Sequence, residues 1–228
     1  MNDIEFGKST RDLIKRLADR GINRMSVMMR HSARHYNWEQ PREEPFLLLT
    51  EEGKEYSYNL GKSLVPGFTI KFYSSVVGRC IETAYLIDKG YVSQGGKTDH
   101  NMMEPYLSPS YVKKPFELIK VLQETSPNFI RQWFDGEISA EIIDPPRGAA
   151  QDIIGMLESK LEYLPENHIN MGISHDWNLY LVKEYIMGLR HEDVGRVAYL
   201  EGLIVYQEQG KTFVVNHQSE PVEILPKK

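Results

Sequence analysis

The chain has 228 residues, 41% hydrophobic and 26% charged, an ordinary globular balance in a length that suits one sizeable α/β domain or two small ones. A net charge of −5 with no basic stripe argues against a nucleic-acid binder, so an anionic ligand would need arginines gathered locally in an acidic protein. The single cysteine, Cys80, excludes a disulfide framework and fits a reducing compartment, while the acidic start MNDIEFGKST and the lack of any run near ~18 apolar residues predict a cytoplasmic protein with no membrane partner.

Residues 9–20 predict a first helix, with Ser9 and Thr10 as candidate N-caps and Leu13, Ile14 and Leu17 on one face; Gly21 ends it. MSVMM at 25–29 is a short apolar run ahead of the polar cluster RHSARHYN, the pattern of a buried strand carrying that cluster at its carboxyl end. Thr50 opens a helix through TEEGKEYSYNLGKSL. TIKFY at 69–73 reads as a second strand, and RCIETAYLIDKG as a helix stopped near Gly90. The middle is less regular: Gly95, Gly96, Pro105, Pro109 and Pro115 mark loops, with helices predicted over 116–134 and 149–164. HINMGI at 168–173 is a strand ending at Ser174, His175 and Asp176, and WNLYLVKEYIMGL is a helix. GLIVYQEQGKTFVVNH alternates about Gln209 and Gly210 as a hairpin, whose exposed edge could serve a homodimer. Strands alternating with helices predict an α/β fold built on a mostly parallel sheet, as one domain over residues 1–228.

Three polar clusters fall at strand ends, over residues 30–37, 74–79 and 174–178, where open α/β sheets bind their ligands. The first holds Arg30, His31, Arg34 and His35. Guanidinium groups match phosphate oxygens two at a time, so Arg30 and Arg34 can clamp a phosphate. His31 between them can attack phosphorus as a neutral imidazole, and the arginine charges help keep it unprotonated. Alone, RHSAR would read as a solvated basic turn. Arg79, beyond the second strand, adds a third guanidinium or is an ordinary surface residue. His175 could donate to a phosphoryl oxygen and Asp176 could protonate a leaving oxygen, although the pair also suits a helix start. His31 and His35 have an i, i+4 spacing met in metal sites, but the two arginines would repel a cation. Cys80 reads as a small buried hydrophobe. Tyr36, Trp38, Tyr106, Trp133 and Trp177 are aromatic candidates for pocket walls.

RHSAR resembles the RHGxR signature of the histidine phosphatase superfamily, in its acid phosphatase and phytase branch. FYSSVVGRCIETA is similar to the superfamily's second block, and SHD ahead of a helix resembles the HD block of that branch. LLLTEEGKEYSYNLGKSL is similar to the helix after the first block, and YLEGLIVYQ to the final strand region. These stand in family order across residues 25–206, with little match over 91–165. The resemblance implies a three-layer α/β/α fold of the phosphoglycerate mutase type. It implies His31 as nucleophile, Arg30, Arg34, Arg79 and His175 as the phosphate pocket, and Asp176 as general acid. In the mutase branch the acid is instead a Glu between the second and third blocks, where Glu104 lies; Asp176 is favoured because Arg34 is typical of the HD branch.

The implied activity is hydrolysis of a phosphate monoester through a phosphohistidine, with a phosphomutase or a silent phosphate-binding module as alternatives. No metal or organic cofactor is implied, because arginines supply the charge. The partner would be a small-molecule phosphate ester or a phosphoprotein, with residues 91–150 as the lid that sets specificity. Two positions depart from the pattern. Ser32 replaces a glycine, which would carry a cost if the site needs φ > 0 or close approach to phosphate. Val76 stands where proline is frequent.

Overall fold

In the computed structural model, which describes residues 5–37, 39–125 and 128–225, the chain alternates helices and strands from its first turn. The first half comprises α1 (Lys8–Asp19), β1 (Arg24–Arg30), α2 (Glu51–Ser63), β2 (Thr69–Ser74), α3 (Gly78–Ser93) and β3 (Lys97–Met103). Three helices follow, α4 (Pro115–Thr125), α5 (Phe129–Phe134) and α6 (Pro146–Glu162). The rest is β4 (His168–Ser174), α7 (Asp176–Tyr185), α8 (His191–Val194), β5 (Gly202–Glu208), β6 (Lys211–Asn216) and β7 (Val222–Glu223).

The seven strands form one sheet in the order β3-β2-β4-β1-β5-β6-β7. The first four are parallel and the last three antiparallel. Alternating side chains split the interior into two cores. Met25, Val27 and Met29 of β1, with Ile70 and Phe72 of β2, pack against Leu13, Ile14 and Leu17 of α1, Leu60 of α2 and Ile87 of α3. Met28 and Tyr73 face the other way, onto Ile153, Ile154 and Leu157 of α6, Leu179 and Val182 of α7, and Trp133 of α5. The strand–helix alternation predicts this α/β fold, whose core strands β3, β2, β4 and β1 are parallel in a sheet made mixed by β5, β6 and β7, and helices on both faces give the three layers that the resemblance implies.

Several local expectations are corrected. The predicted caps Ser9 and Thr10 do not cap α1; Gly7 does, at φ 84°, while Thr10 is buried and its Oγ1 donates to the Leu200 carbonyl at 2.7 Å. Thr50 does cap α2, its Oγ1 accepting from Gly53 N–H at 3.0 Å. α3 runs past Gly90 to Ser93, because that glycine serves helix contact and not termination. A Cβ on Gly90 would lie 2.1 Å from the Tyr58 carbonyl of α2, and one on Gly61 would lie 2.1 Å from the Ile87 carbonyl of α3. The helix predicted over 116–134 is two, α4 and α5, and Pro127 of the sequence stands between them. β3 lies between Gly96 and Pro105, in the middle stretch whose polar sequence predicts no strand; it is an edge strand held by pairing with β2 alone. α7 ends at Tyr185, ahead of Gly188 at φ 71°. The hairpin turns on Gln209 and Gly210 at φ 51° and 78°, the left-handed pair a tight hairpin requires.

Candidate active site

Parallel pairing levels three strand ends. Arg30 of β1 pairs with Ser174 of β4, and Ser74 of β2 with Ile173 of β4. The ladder continues one residue further, His31 N–H donating to the Ser174 carbonyl and Ser75 N–H to the Ile173 carbonyl, each at 2.9 Å. His31, Ser75 and His175 therefore leave the sheet side by side, although they are 44 and 100 residues apart in the chain.

His31 is 2% exposed. Its Nδ1 is 2.8 Å from the Ser32 carbonyl oxygen, which can only accept, so the ring proton resides on Nδ1. Nε2 thus keeps its lone pair, and the Arg79 Nε–H donates to it at 3.1 Å. Burial first, then the charges of His175 and Arg79, hold this imidazole well below its ordinary pKa. His175 lies with its ring centre 5.6 Å away, at 71°. Its Nδ1 faces the Arg79 Nη2 at 3.5 Å and its Nε2 lies 2.9 Å from the Ser75 hydroxyl. Burial first, then Arg79, Arg34 and Arg30, lower its pKa to about 3.

Arg30 spans two partners, Nη2 lying 3.0 Å from Asp176 Oδ2 and Nη1 donating to the Val197 carbonyl at 2.7 Å. Its guanidinium covers the Tyr199 ring at 4.4 Å. Arg34 covers Tyr36 at 3.9 Å, and the hydroxyls of Tyr36 and Tyr199 are 2.8 Å apart. Behind this layer the buried pair Lys183–Glu201, at 2.9 Å, braces the turn that carries Tyr199, and the Glu201 carbonyl accepts Arg30 N–H.

The two candidate acids differ in surroundings. Asp176 opens α7 and its side chain is 31% exposed beside Arg30. Glu104 follows β3, with its carboxylate 16% exposed and paired with Lys160 at 2.7 Å. Ser32 is buried at ordinary φ, donating its hydroxyl to the Gly53 carbonyl at 2.7 Å and its N–H to Thr83 Oγ1 at 3.2 Å. The side chain points into the α2–α3 junction, so the expected cost of losing glycine does not arise.

The remaining candidates sort by burial. His35 is exposed while His31 is buried, and neither lies on a helix, so the pair does not form a two-histidine metal face. The Cys80 thiol is buried, and burial pushes its pKa up to about 12, which removes it as a nucleophile at neutral pH. Trp133 is buried in the core and Trp177 is partly buried against it, their rings packed on either side of Phe129. Tyr36 and Tyr106 are exposed at the site, and Trp38 lies outside the described residues. Among the described residues, the cluster Glu184, His191 and Glu192 could offer metal ligands, but Arg131 already fills it, 2.8 Å from Glu184 and 2.6 Å from Glu192. Sequence reasoning missed Ser75, Thr83 and Tyr199 as site residues. The first two lie in the SSVVGRCIETA block and the third in YLEG, so the blocks were visible but not the contacts.

No model of a protein family matches the sequence. No curated protein matches it either. Solved structures do share its fold. Bacillus stearothermophilus YhfR is 17% identical, with a TM-score of 0.56 over 86% of this chain and 99% of that one. The alpha-ribazole phosphatase from Shigella flexneri is 16% identical, with a TM-score of 0.53 over 89% and 100%. A phosphoserine phosphatase mutant from Entamoeba histolytica, in complex with phosphoserine, is 13% identical, with a TM-score of 0.53 over 84% and 95%. The chain has the phosphoglycerate mutase-like α/β fold of these structures, and at such identities the likeness speaks for the fold alone.

Proposed function

We propose that the protein hydrolyses phosphate monoesters through a phosphohistidine on His31, in the manner of the histidine phosphatases it resembles. The observation that carries this reading is a buried, neutral imidazole whose Nε2 lone pair faces a guanidinium. A phosphate entering the site takes over the Arg79 donor and so frees that lone pair. Arg30, Arg34 and Arg79 neutralise the phosphoryl oxygens. Nε2 then forms a bond to phosphorus as the phosphorus–alcohol oxygen bond breaks, and the protonated Asp176 carboxyl delivers its proton to the leaving oxygen. Water next attacks phosphorus, the N–P bond breaks, and the Asp176 carboxylate takes the water proton, which restores both residues.

Two features support Asp176 over Glu104: its carboxylate is the more exposed, 31% against 16%, and its partner at 3.0 Å is Arg30 of the arginine cluster itself, whereas Glu104 is tied to Lys160 outside that cluster. This is also the arrangement of the acid phosphatase branch that the HD block resembles. The proposed lid, residues 91–150, approaches through Ser108, whose hydroxyl is 2.9 Å from that of Ser75, and through Tyr106, whose carbonyl accepts from Asn178 Nδ2 at 3.0 Å.

The test is turnover of para-nitrophenyl phosphate from pH 4 to 9 without added metal. His31→Ala is expected to lose about 10³-fold or more. Asp176→Asn is expected to slow alkyl esters by about 10²-fold or more and the nitrophenyl ester less, since nitrophenolate leaves without a proton. Full activity in His31→Ala would end the proposal, and a larger loss in Glu104→Gln than in Asp176→Asn would move the acid role to Glu104.

A further inference from the structure

Around the arginine pocket the strand ends present large apolar side chains to solvent. Tyr36 is 43% exposed, Leu48 52%, Val76 56%, Met103 65% and Tyr106 44%. Isolated exposed apolar residues are normal on any protein. These are not scattered: Tyr36 touches the site, and the other four stand at or against residues one or two positions from Ser75, Arg79 or Asp176. Tyr36 lies under the Arg34 guanidinium and reaches Tyr199 through its hydroxyl. Leu48 Cδ2 is 3.2 Å from where a Cβ on Gly78 would stand, beside Arg79. Val76 follows Ser75, the hydroxyl against His175. Met103 pairs in register with Ser74. The Tyr106 carbonyl is bonded to Asn178, two residues after Asp176.

From this collar we infer that the substrate is a phosphate monoester of an apolar alcohol, alkyl or aryl, whose hydrocarbon part lies on Tyr36, Leu48, Val76, Met103 and Tyr106 while its phosphate sits among the arginines. The inference rests on the phosphatase reading above. A sugar or other polyol would meet few hydrogen-bonding side chains on these residues, whereas orientation of a polar ligand needs well-placed polar groups. A hydrocarbon chain gains by covering this rim, and the gain grows with the length covered.

The experiment compares ethyl, butyl, hexyl and octyl phosphate with glycerol 3-phosphate, all as dissolved monomers. The four alkanols are primary and of similar basicity, so chain length reports contact and not leaving-group quality, and glycerol, the more acidic alcohol, would be favoured if leaving-group quality decided. The rise expected in kcat/KM is about two- to fourfold per added methylene, with glycerol 3-phosphate below butyl phosphate. Leu48→Ser and Val76→Ser are expected to flatten the series. Tyr163→Ser is expected to leave it unchanged, because that exposed ring follows α6 at the opposite, amino-terminal edge of the sheet. A flat series, a preference for the glycerol ester, or an unaltered slope in the Leu48 and Val76 variants would overturn the inference. Titration calorimetry with the matching alkyl phosphonates separates the two readings. Affinity rising with chain length in the absence of any turnover would keep the collar and reject the phosphatase, whereas His31-dependent turnover with flat phosphonate affinities would do the reverse.

Discussion

Ser32 shows how one side chain is judged by its surroundings. Where the resembled family carries glycine, this chain buries a hydroxyl that bonds the Gly53 carbonyl, and its backbone needs no left-handed φ. Reverting it should therefore not help. Ser32→Gly is expected to lower stability by about 1–2 kcal/mol, from a lost buried hydrogen bond and added backbone freedom, and to leave aryl phosphate turnover no higher. Urea denaturation and steady-state rates on the same preparation check this; a more active or more stable variant would show that the hydroxyl is a burden. The same logic separates Asp176 from Glu104. Both are carboxylates near a strand end, and only the identity of their neighbours, Arg30 for one and Lys160 for the other, distinguishes them.

At the scale of elements, glycine inside a helix has two meanings that sequence alone does not separate. Gly90 of α3 abuts the α2 backbone, whereas a Cβ on Gly148 in the first turn of α6 would meet nothing within 4 Å. Alanine should gain helix propensity at both, by up to about 1 kcal/mol. At Gly90 the clash with a carbonyl oxygen overrides that gain, so Gly90→Ala is expected to destabilise by about 2 kcal/mol and Gly148→Ala to stabilise. Thermal or urea unfolding of the two variants decides it, and equal shifts would mean that the α2–α3 contact is softer than the geometry states. This contact bears on the site, because α3 delivers Arg79 and α2 receives the Ser32 hydroxyl.

For the whole molecule, the two site histidines make the fold acid-sensitive. In the unfolded chain each titrates near 6.5, whereas in the fold His175 is lowered to about 3 and His31 well below its usual value, both chiefly by burial. Between those limits the unfolded chain binds protons that the fold refuses, so stability is full above pH 6.5 and falls as pH drops toward 3. The slope is about 1.4 kcal/mol per pH unit for each histidine held neutral. His175→Gln is expected to remove one such increment between pH 6.5 and 5, measured by urea unfolding at several pH values. An unchanged slope would mean that His175 accepts a proton in the fold.

Local pattern was enough to place β1, β2 and β4, the helices α2, α3 and α6, the hairpin and the three polar clusters at strand ends, because apolar periodicity and turn residues act over a few positions. Those clusters contain Arg30, His31, Arg34, Arg79, His175 and Asp176. Only the tertiary structure decided that β3 is a strand, that Gly90 is a contact, that the His31 lone pair lies on Nε2, and that Asp176 has Arg30 while Glu104 has Lys160. Each of those outcomes depends on a partner: the next strand, the facing helix, a carbonyl fixed by the loop, or a cation up to 146 residues away. Pairing across such distances is set by which faces pack together, and no local spacing encodes it.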